Sequence, residues 1–306
     1  MRPSVLTAAV LMIFCTLLVA GTTLLAKALG SGAMGQSVHP LMISQARFVF
    51  GFAAVALVLG LRRATGRRPW TPGGRPNWGL HAGRTALGWM AGGMMFAAAA
   101  QMPLADASAL SFVSPVATML FAVPLLGERP GPWRWAAAVI ALVGAMVLLR
   151  PGAGVIQPAA LLALGAATAM GLEAILIKKL AVSEPPGRTM LINNAMGAVL
   201  ASAMALAVVA WPQTPGHWVA LVAMGVVMVT AQILLLNANL RADASFVAPF
   251  FYLALVWAGV YDIVIFDVWP DWVSLSGAGI IVAGGLLMTW REVLARRRLV
   301  AAVGLA

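Results

Sequence analysis

Charge is what this sequence has least of. Asp, Glu, Lys and Arg make up only 9% of its 306 residues, where a soluble domain carries about 25%. With 62% hydrophobic residues, a soluble fold would leave more apolar surface in water than any core could absorb, so the solvent for most of the chain is lipid. Cysteine is nearly absent: Cys15 alone excludes an intrachain disulfide and says nothing of the redox compartment. Histidine is rare and scattered. His39, His81 and His217 lack metal-ligand spacing, no Gly-x-Ser-x-Gly elbow occurs and the carboxylates do not cluster, so no metal, no cofactor and no membrane-embedded enzyme is expected. No helix carries the rings of charge that line an ion channel. No polar stretch leaves room for a soluble domain.

What is present is a succession of apolar runs. A bilayer core asks for about 20 apolar residues per helix. Such runs fall at 4–29, 39–61, 79–101, 105–127, 133–150, 158–181, 187–210, 216–240, 243–265 and 272–291. This pattern predicts an all-α polytopic membrane protein with ten transmembrane helices. Met1-Arg2 before an apolar run superficially resembles a signal peptide and is read here as the start of the first span. The net charge of +11 would suggest nucleic acid in a soluble chain; here it is assigned to short cytoplasmic loops, and no nucleic-acid partner is expected. With the N-terminus inside, sixteen of the 20 Lys and Arg residues fall on the cytoplasmic side, and only Lys27 and Arg150 on the other. Both termini are therefore predicted to be cytoplasmic.

The chain also repeats itself. Ala105-Asp106-Ala107-Ser108 returns as Ala242-Asp243-Ala244-Ser245, 137 positions later. Gly88 pairs with Gly225, Gly21 with Gly171, Arg47 with Asn193 and Gly51 with Gly197, in collinear order. The expected halves are 1–152 and 153–306. A five-helix unit that starts inside ends outside, so its copy enters the membrane inverted, an architecture that places a substrate site near the midplane between the halves.

The stretch PLADASALSFVSPVATMLFAVPLLGER, followed by a Trp-containing fifth span ending in LVGAMVLLRPG, resembles the EamA domain of the drug/metabolite transporter superfamily, best over residues 96–152. The second half keeps RADASF but has Phe266-Asp267-Val268 in place of Gly-Glu-Arg. The resemblance implies ten helices, inverted halves and movement of small metabolites across the bacterial inner membrane. Within the superfamily the chain looks most like amino-acid and metabolite exporters of the YddG type. Riboflavin and S-adenosylmethionine carriers have similar helices.

An ionisable group inside a span is a functional hypothesis by default. Glu173, on the inner side of the midplane in span six, is a candidate for proton coupling, for holding a substrate cation or for pairing with Arg84 in span three. His81, Arg84 and Trp89 share a helical stripe that would suit an amphipathic solute, with interfacial placement as the alternative. Arg47 is expected to have a structural partner. Lys27 and Lys178, near matching helix ends, are candidates for gating or for snorkelling to the interface. Asp262 beside Tyr261 is a further gating candidate. Tyr252 is too deep for an interfacial belt and is expected, with Trp257, to wall the cavity. Gln232 is expected to make a polar contact there. Asn193, Asn194 and Asn237 are expected in interhelical hydrogen bonds. Asp106 and Asp243 are expected to cap spans four and nine, Gly88-x-x-x-Gly92 to pack closely, and Pro115 to bend span four. The expected function is a secondary transporter of amphipathic metabolites, amino acids first, with riboflavin or S-adenosylmethionine uptake as the alternative. The expected partners are a small-molecule substrate and the lipid bilayer, with the chain working as a monomer.

Overall fold

The computed structural model describes residues 5–66, 75–127, 131–149, 157–208, 212, 214–241 and 248–303. These residues are helical nearly throughout: α1 (Val5–Gly30), α2 (Pro40–Ala64), α3 (Trp78–Ala99), α4 (Leu104–Ser111), α5 (Ser114–Leu126), α6 (Pro132–Leu149), α7 (Pro158–Ser183), α8 (Pro186–Ala205), α9 (Pro215–Asn239), α10 (Leu253–Phe266) and α11 (Trp272–Val303). Short 3₁₀ segments follow α8 (Leu206–Val208) and precede α10 (Ala248–Tyr252). Six segments are long and apolar enough to cross a membrane, counting α4 and α5 as one, and three shorter apolar helices accompany them. The remaining helix, α3, has the length of a span, but His81, Arg84 and five glycines lower its hydropathy. The burial pattern is that of a protein dissolved in lipid. Large apolar side chains such as Val199, Val219 and Val264 lie 69–75% exposed on the outside, while polar groups turn inward.

The helices pair in a pattern that survives exchange of the halves. Helix α1 packs on α9 as α3 packs on α7; α1 packs on α10 as α7 packs on α5; α2 meets α8, and α6 meets α11. Glycine makes these contacts close, as expected where no hydrophobic force drives helices together in lipid. A Cβ on Gly225 would stand 2.7 Å from the Gly51 nitrogen, and one on Gly144 2.8 Å from the Gly277 carbonyl. Two matched hydrogen bonds join the halves: Thr118 Oγ1 donates to the Gly171 carbonyl at 3.3 Å and the Tyr261 hydroxyl to that of Leu17 at 3.2 Å.

Span four is broken, not merely bent. α4 ends at Ser111, and Phe112 and Val113 close 3₁₀ turns, their N–H groups donating to Ala109 and Leu110 at 3.1 Å. Pro115 explains the break, because it has no N–H for the Ser111 carbonyl and its ring crowds that carbonyl. In span nine Ser111-Phe112-Val113-Ser114-Pro115 recurs as Ser245-Phe246-Val247-Ala248-Pro249, and the described part of that span opens with the 3₁₀ segment Ala248–Tyr252 before α10. Spans four and nine both end in the left-handed conformation. Gly127 closes α5 with φ 66° and Asp267 closes α10 with φ 52°. Asp is among the few side-chain-bearing residues that enter this region readily, so replacing the glycine preserved the turn.

Asp106 is not the cap of span four. The N-cap position of α4 is Pro103, which has no side-chain bond to offer. The free Ala105 N–H instead donates at 2.8 Å to Asp262 Oδ2 of the other half, and Asp106 Oδ2 accepts from Ser274 Oγ at 3.0 Å. The expected Asp243 cap, Glu128-Arg129 and Arg150 lie outside the described residues.

Candidate functional site

Three charged side chains from three helices form a column inside the bundle. Arg84 on α3 and Glu173 on α7 pair with Nε to Oε1 at 3.6 Å, their side chains 12% and 19% exposed. Arg84 Nη1 also donates to the Thr189 carbonyl at 3.2 Å. Arg47 on α2 is the third member, within electrostatic reach of both. Its guanidinium lies 4.0 Å from the Phe48 ring centre and 6.0 Å from that of Phe96, a cation–π setting that offsets part of its desolvation.

The glycines explain how these groups fit. A Cβ on Gly88 would stand 2.8 Å from Glu173 Oε1, and one on Gly92 3.4 Å from Arg47 Nη2. Arg84, Gly88 and Gly92 are four residues apart, so they line one face of α3 in steps of about 6 Å. The Gly-x-x-x-Gly spacing therefore seats a carboxylate and a guanidinium against bare helix rather than bringing two backbones together. Among the described residues, Arg47 Nε and Arg84 Nε in the column, and the indole nitrogens of Trp89 and Trp257, are buried donors without a hydrogen-bond partner.

Each end of the bundle is tied by a buried polar contact between the halves. At the end where α1 finishes, Lys27 Nζ pairs with Asp262 Oδ1 at 2.6 Å, with 10% and 2% of the side chains exposed. The ammonium also lies 4.3 Å from the Phe266 ring centre. Lys27 therefore turns inward and does not snorkel. Asp262 caps α4 with its second oxygen, so one carboxylate joins α1, α4 and α10, where its charge also favours the α4 dipole. Beside it lies a cavity of about 270 Å³ whose lining includes Asp106, Gln157, Trp269 and Asp271. At the other end, His81 Nε2 lies 2.9 Å from Glu184 Oε2, and Glu184 Oε1 accepts the Asn77 N–H at 2.7 Å. Burial pushes the Glu184 carboxyl up, but the Asn77 N–H and His81 outweigh it and hold the group below its usual 4.5.

The other candidates are dispersed. His81 belongs to the end tie with Glu184, while Arg84 pairs with Glu173 in the column. Tyr252 ends the 3₁₀ segment before α10 and meets the break in span four: its ring is 4.8 Å from Phe112 at 35°, and its hydroxyl rests on Gly285 of α11. Gln232 is half-buried on α9. No hydrogen bond or ion pair joins Gln232, Tyr252 or Trp257 to the charged column among the described residues. Lys178 is exposed near the end of α7. Of the asparagines, Asn193 accepts from Thr85 across helices at 3.3 Å; Asn194 and Asn237 donate within their own helices to Met190 and Ile233.

Sequence reasoning did not bring Arg47 to Glu173 or Glu184 to His81. A glycine one turn from Gly88 on a charged helix was the available sign of the first. The repeated Ser-Phe-Val-x-Pro was the available sign of the break.

This bundle of two matched halves around a polar interior is a transporter architecture. The chain belongs to the EamA-like transporter family, whose model matches it twice, over residues 6–150 and 157–290. Among curated proteins it is 29% identical over 198 residues to an S-adenosylmethionine uptake transporter of Rickettsia bellii, covering 62% of this chain and 65% of that protein. It is 30% identical over 206 residues to a riboflavin transporter of Vibrio cholerae, covering 67% and 68%. It is 27% identical over 196 residues to a pseudopaline exporter of Pseudomonas aeruginosa, covering 63% and 69%. A solved crystal structure superposes with a TM-score of 0.60 at 22% identity, covering 97% of this chain and 99% of that one, a likeness of fold alone. The chain is thus a multi-pass membrane protein of a transporter family, and it spans slightly less than two thirds of the length of the first of these relatives.

Proposed function

We propose that this protein carries one small amphipathic metabolite across the bacterial inner membrane by alternating access, its halves (1–152 and 153–306) rocking about the charged column. The observation that carries this reading is the placement of Arg47, Arg84 and Glu173 between helices of the two halves, because buried charge is costly in lipid and is retained where it handles a polar solute or a coupling ion. The relatives' names redirect the substrate. They support a solute such as S-adenosylmethionine, riboflavin or pseudopaline over the amino acids expected from the sequence. Purified protein in liposomes should accumulate or exchange labelled S-adenosylmethionine or riboflavin. Uptake of amino acids alone would reverse this order, and silence across a broad metabolite panel would remove the carrier reading.

The proposed orientation puts both termini in the cytoplasm, supported by Arg62, Arg63, Arg188 and Arg241 gathering at one end of the bundle. In a Cys15→Ala background, an impermeant thiol reagent added to cells should label Thr214→Cys and leave Thr65→Cys untouched; the converse pattern inverts the topology.

A further inference from the structure

We propose that Arg47 is the anchor for a carboxylate on the transported solute, so that the substrate is an organic monoanion or a zwitterion rather than a neutral molecule. The inference rests on the carrier reading and narrows it.

Three observations carry it. The first is charge balance. The charged groups acting on Arg47 are Glu173 and Arg84, and Glu173 is already paired with Arg84. The column thus holds two guanidinium groups against one carboxylate, an excess of one positive charge in the low-dielectric interior. Such an excess is expensive until an anion offsets it, and one carboxylate offsets it where a dianion would overshoot. The second is hydrogen bonding. Among the described residues, Arg47 Nε is a buried donor without a partner and the rest of the guanidinium makes no hydrogen bond to the protein. Arg84, by contrast, donates to Thr189. A planar fork of free donors matches the two oxygens of a carboxylate, a fit that a point charge such as lysine would not give. The third is position. Bare backbone at Gly92 lets Arg47 Nη2 lie against α3, where any side chain would begin 3.4 Å from it, so the guanidinium is held at one place in the interior. The rings of Phe48 and Phe96 flank the group, their centres 4.0 Å and 6.0 Å from the guanidinium carbon.

Glu173 then serves as the counter-ion that makes the unloaded site tolerable. Riboflavin, which has no carboxylate, does not fit this anchor.

The experiment compares two probes of the same shape, 3-phenylpropionate and 3-phenylpropionamide, by thermal unfolding of the purified full chain in detergent. The carboxylate should raise the unfolding midpoint of the wild type by about 2–4 °C and act at a concentration roughly tenfold or more below the amide. Arg47→Gln should erase the difference, and Arg47→Lys should keep part of it. The unliganded midpoints of the variants report whether they fold. Probes that act alike on the wild type, including no shift with either, overturn the anchor, as does a difference that survives in Arg47→Gln. Liposome uptake separates the two readings. Uptake of riboflavin with no carboxylate preference leaves a carrier without this anchor, whereas a preference without uptake leaves an anion site without the carrier.

Discussion

Lys27→Met lowers the stability of the purified protein by about 3–5 kcal/mol, because it strands the Asp262 carboxylate in the interior beside the ring of Phe266. Asp262→Ala is at least as damaging. It strands the ammonium and also removes the acceptor of the Ala105 N–H, leaving the first turn of α4 uncapped, a further loss of about 1 kcal/mol. Asp262→Asn separates the two effects, since an amide oxygen can still cap while the ion pair is gone. The double variant Lys27→Met with Asp262→Asn should recover part of the Lys27→Met loss, because no uncompensated charge remains. Unfolding midpoints of the four proteins, converted through a double-mutant cycle, measure this coupling. A cost below about 1 kcal/mol for Lys27→Met would place the pair among ordinary surface ion pairs and remove it as the closure of that end.

Glu173→Gln reduces transport by about two orders of magnitude. It leaves Arg84 and Arg47 facing one another along α3 with no carboxylate between them, and an uncompensated buried charge of this kind costs about 3 kcal/mol, or roughly a hundredfold in affinity. Glu173→Asp retains the charge but withdraws it from the Gly88 notch, so its loss is smaller. If the carboxylate also carries a coupling proton, the residual flux of Glu173→Gln no longer responds to a pH gradient. Initial rates in liposomes with and without the gradient give both readouts. Wild-type flux in Glu173→Gln, equally sensitive to the gradient, would return Glu173 to a purely structural role.

The two predictions touch opposite kinds of polar contact. Lys27 and Asp262 satisfy each other and, with the Ala105 N–H, leave the carboxylate fully occupied. The column satisfies itself only in part, which is what a site for a charged guest requires. The His81, Glu184 and Asn77 tie resembles the first kind, at the opposite end of the bundle. Together the end ties join the halves at both mouths, with the column between them.

Lipid imposes a local code that a sequence must write out residue by residue: about 20 apolar residues per crossing, basic residues in the loops of one side, and proline or glycine at the turns. For that reason the all-helical architecture, the succession of spans and the repetition of one half in the other were legible from the chain alone. The broken fourth span was half legible. Pro115 announced a distortion, but a bend and a break differ only in whether neighbours supply partners for the freed carbonyls. Which polar groups meet was not legible, because partners lie far apart in the chain and small residues, not a hydrophobic pattern, decide how closely helices approach. Asp262 reaches Lys27 across 235 residues, and it takes over a cap that the sequence offered to Asp106. Gly88 and Gly92 read equally well as a packing motif or as seats for charge. Only the arrival of Glu173 from α7 and Arg47 from α2 at that bare face of α3 decided between them.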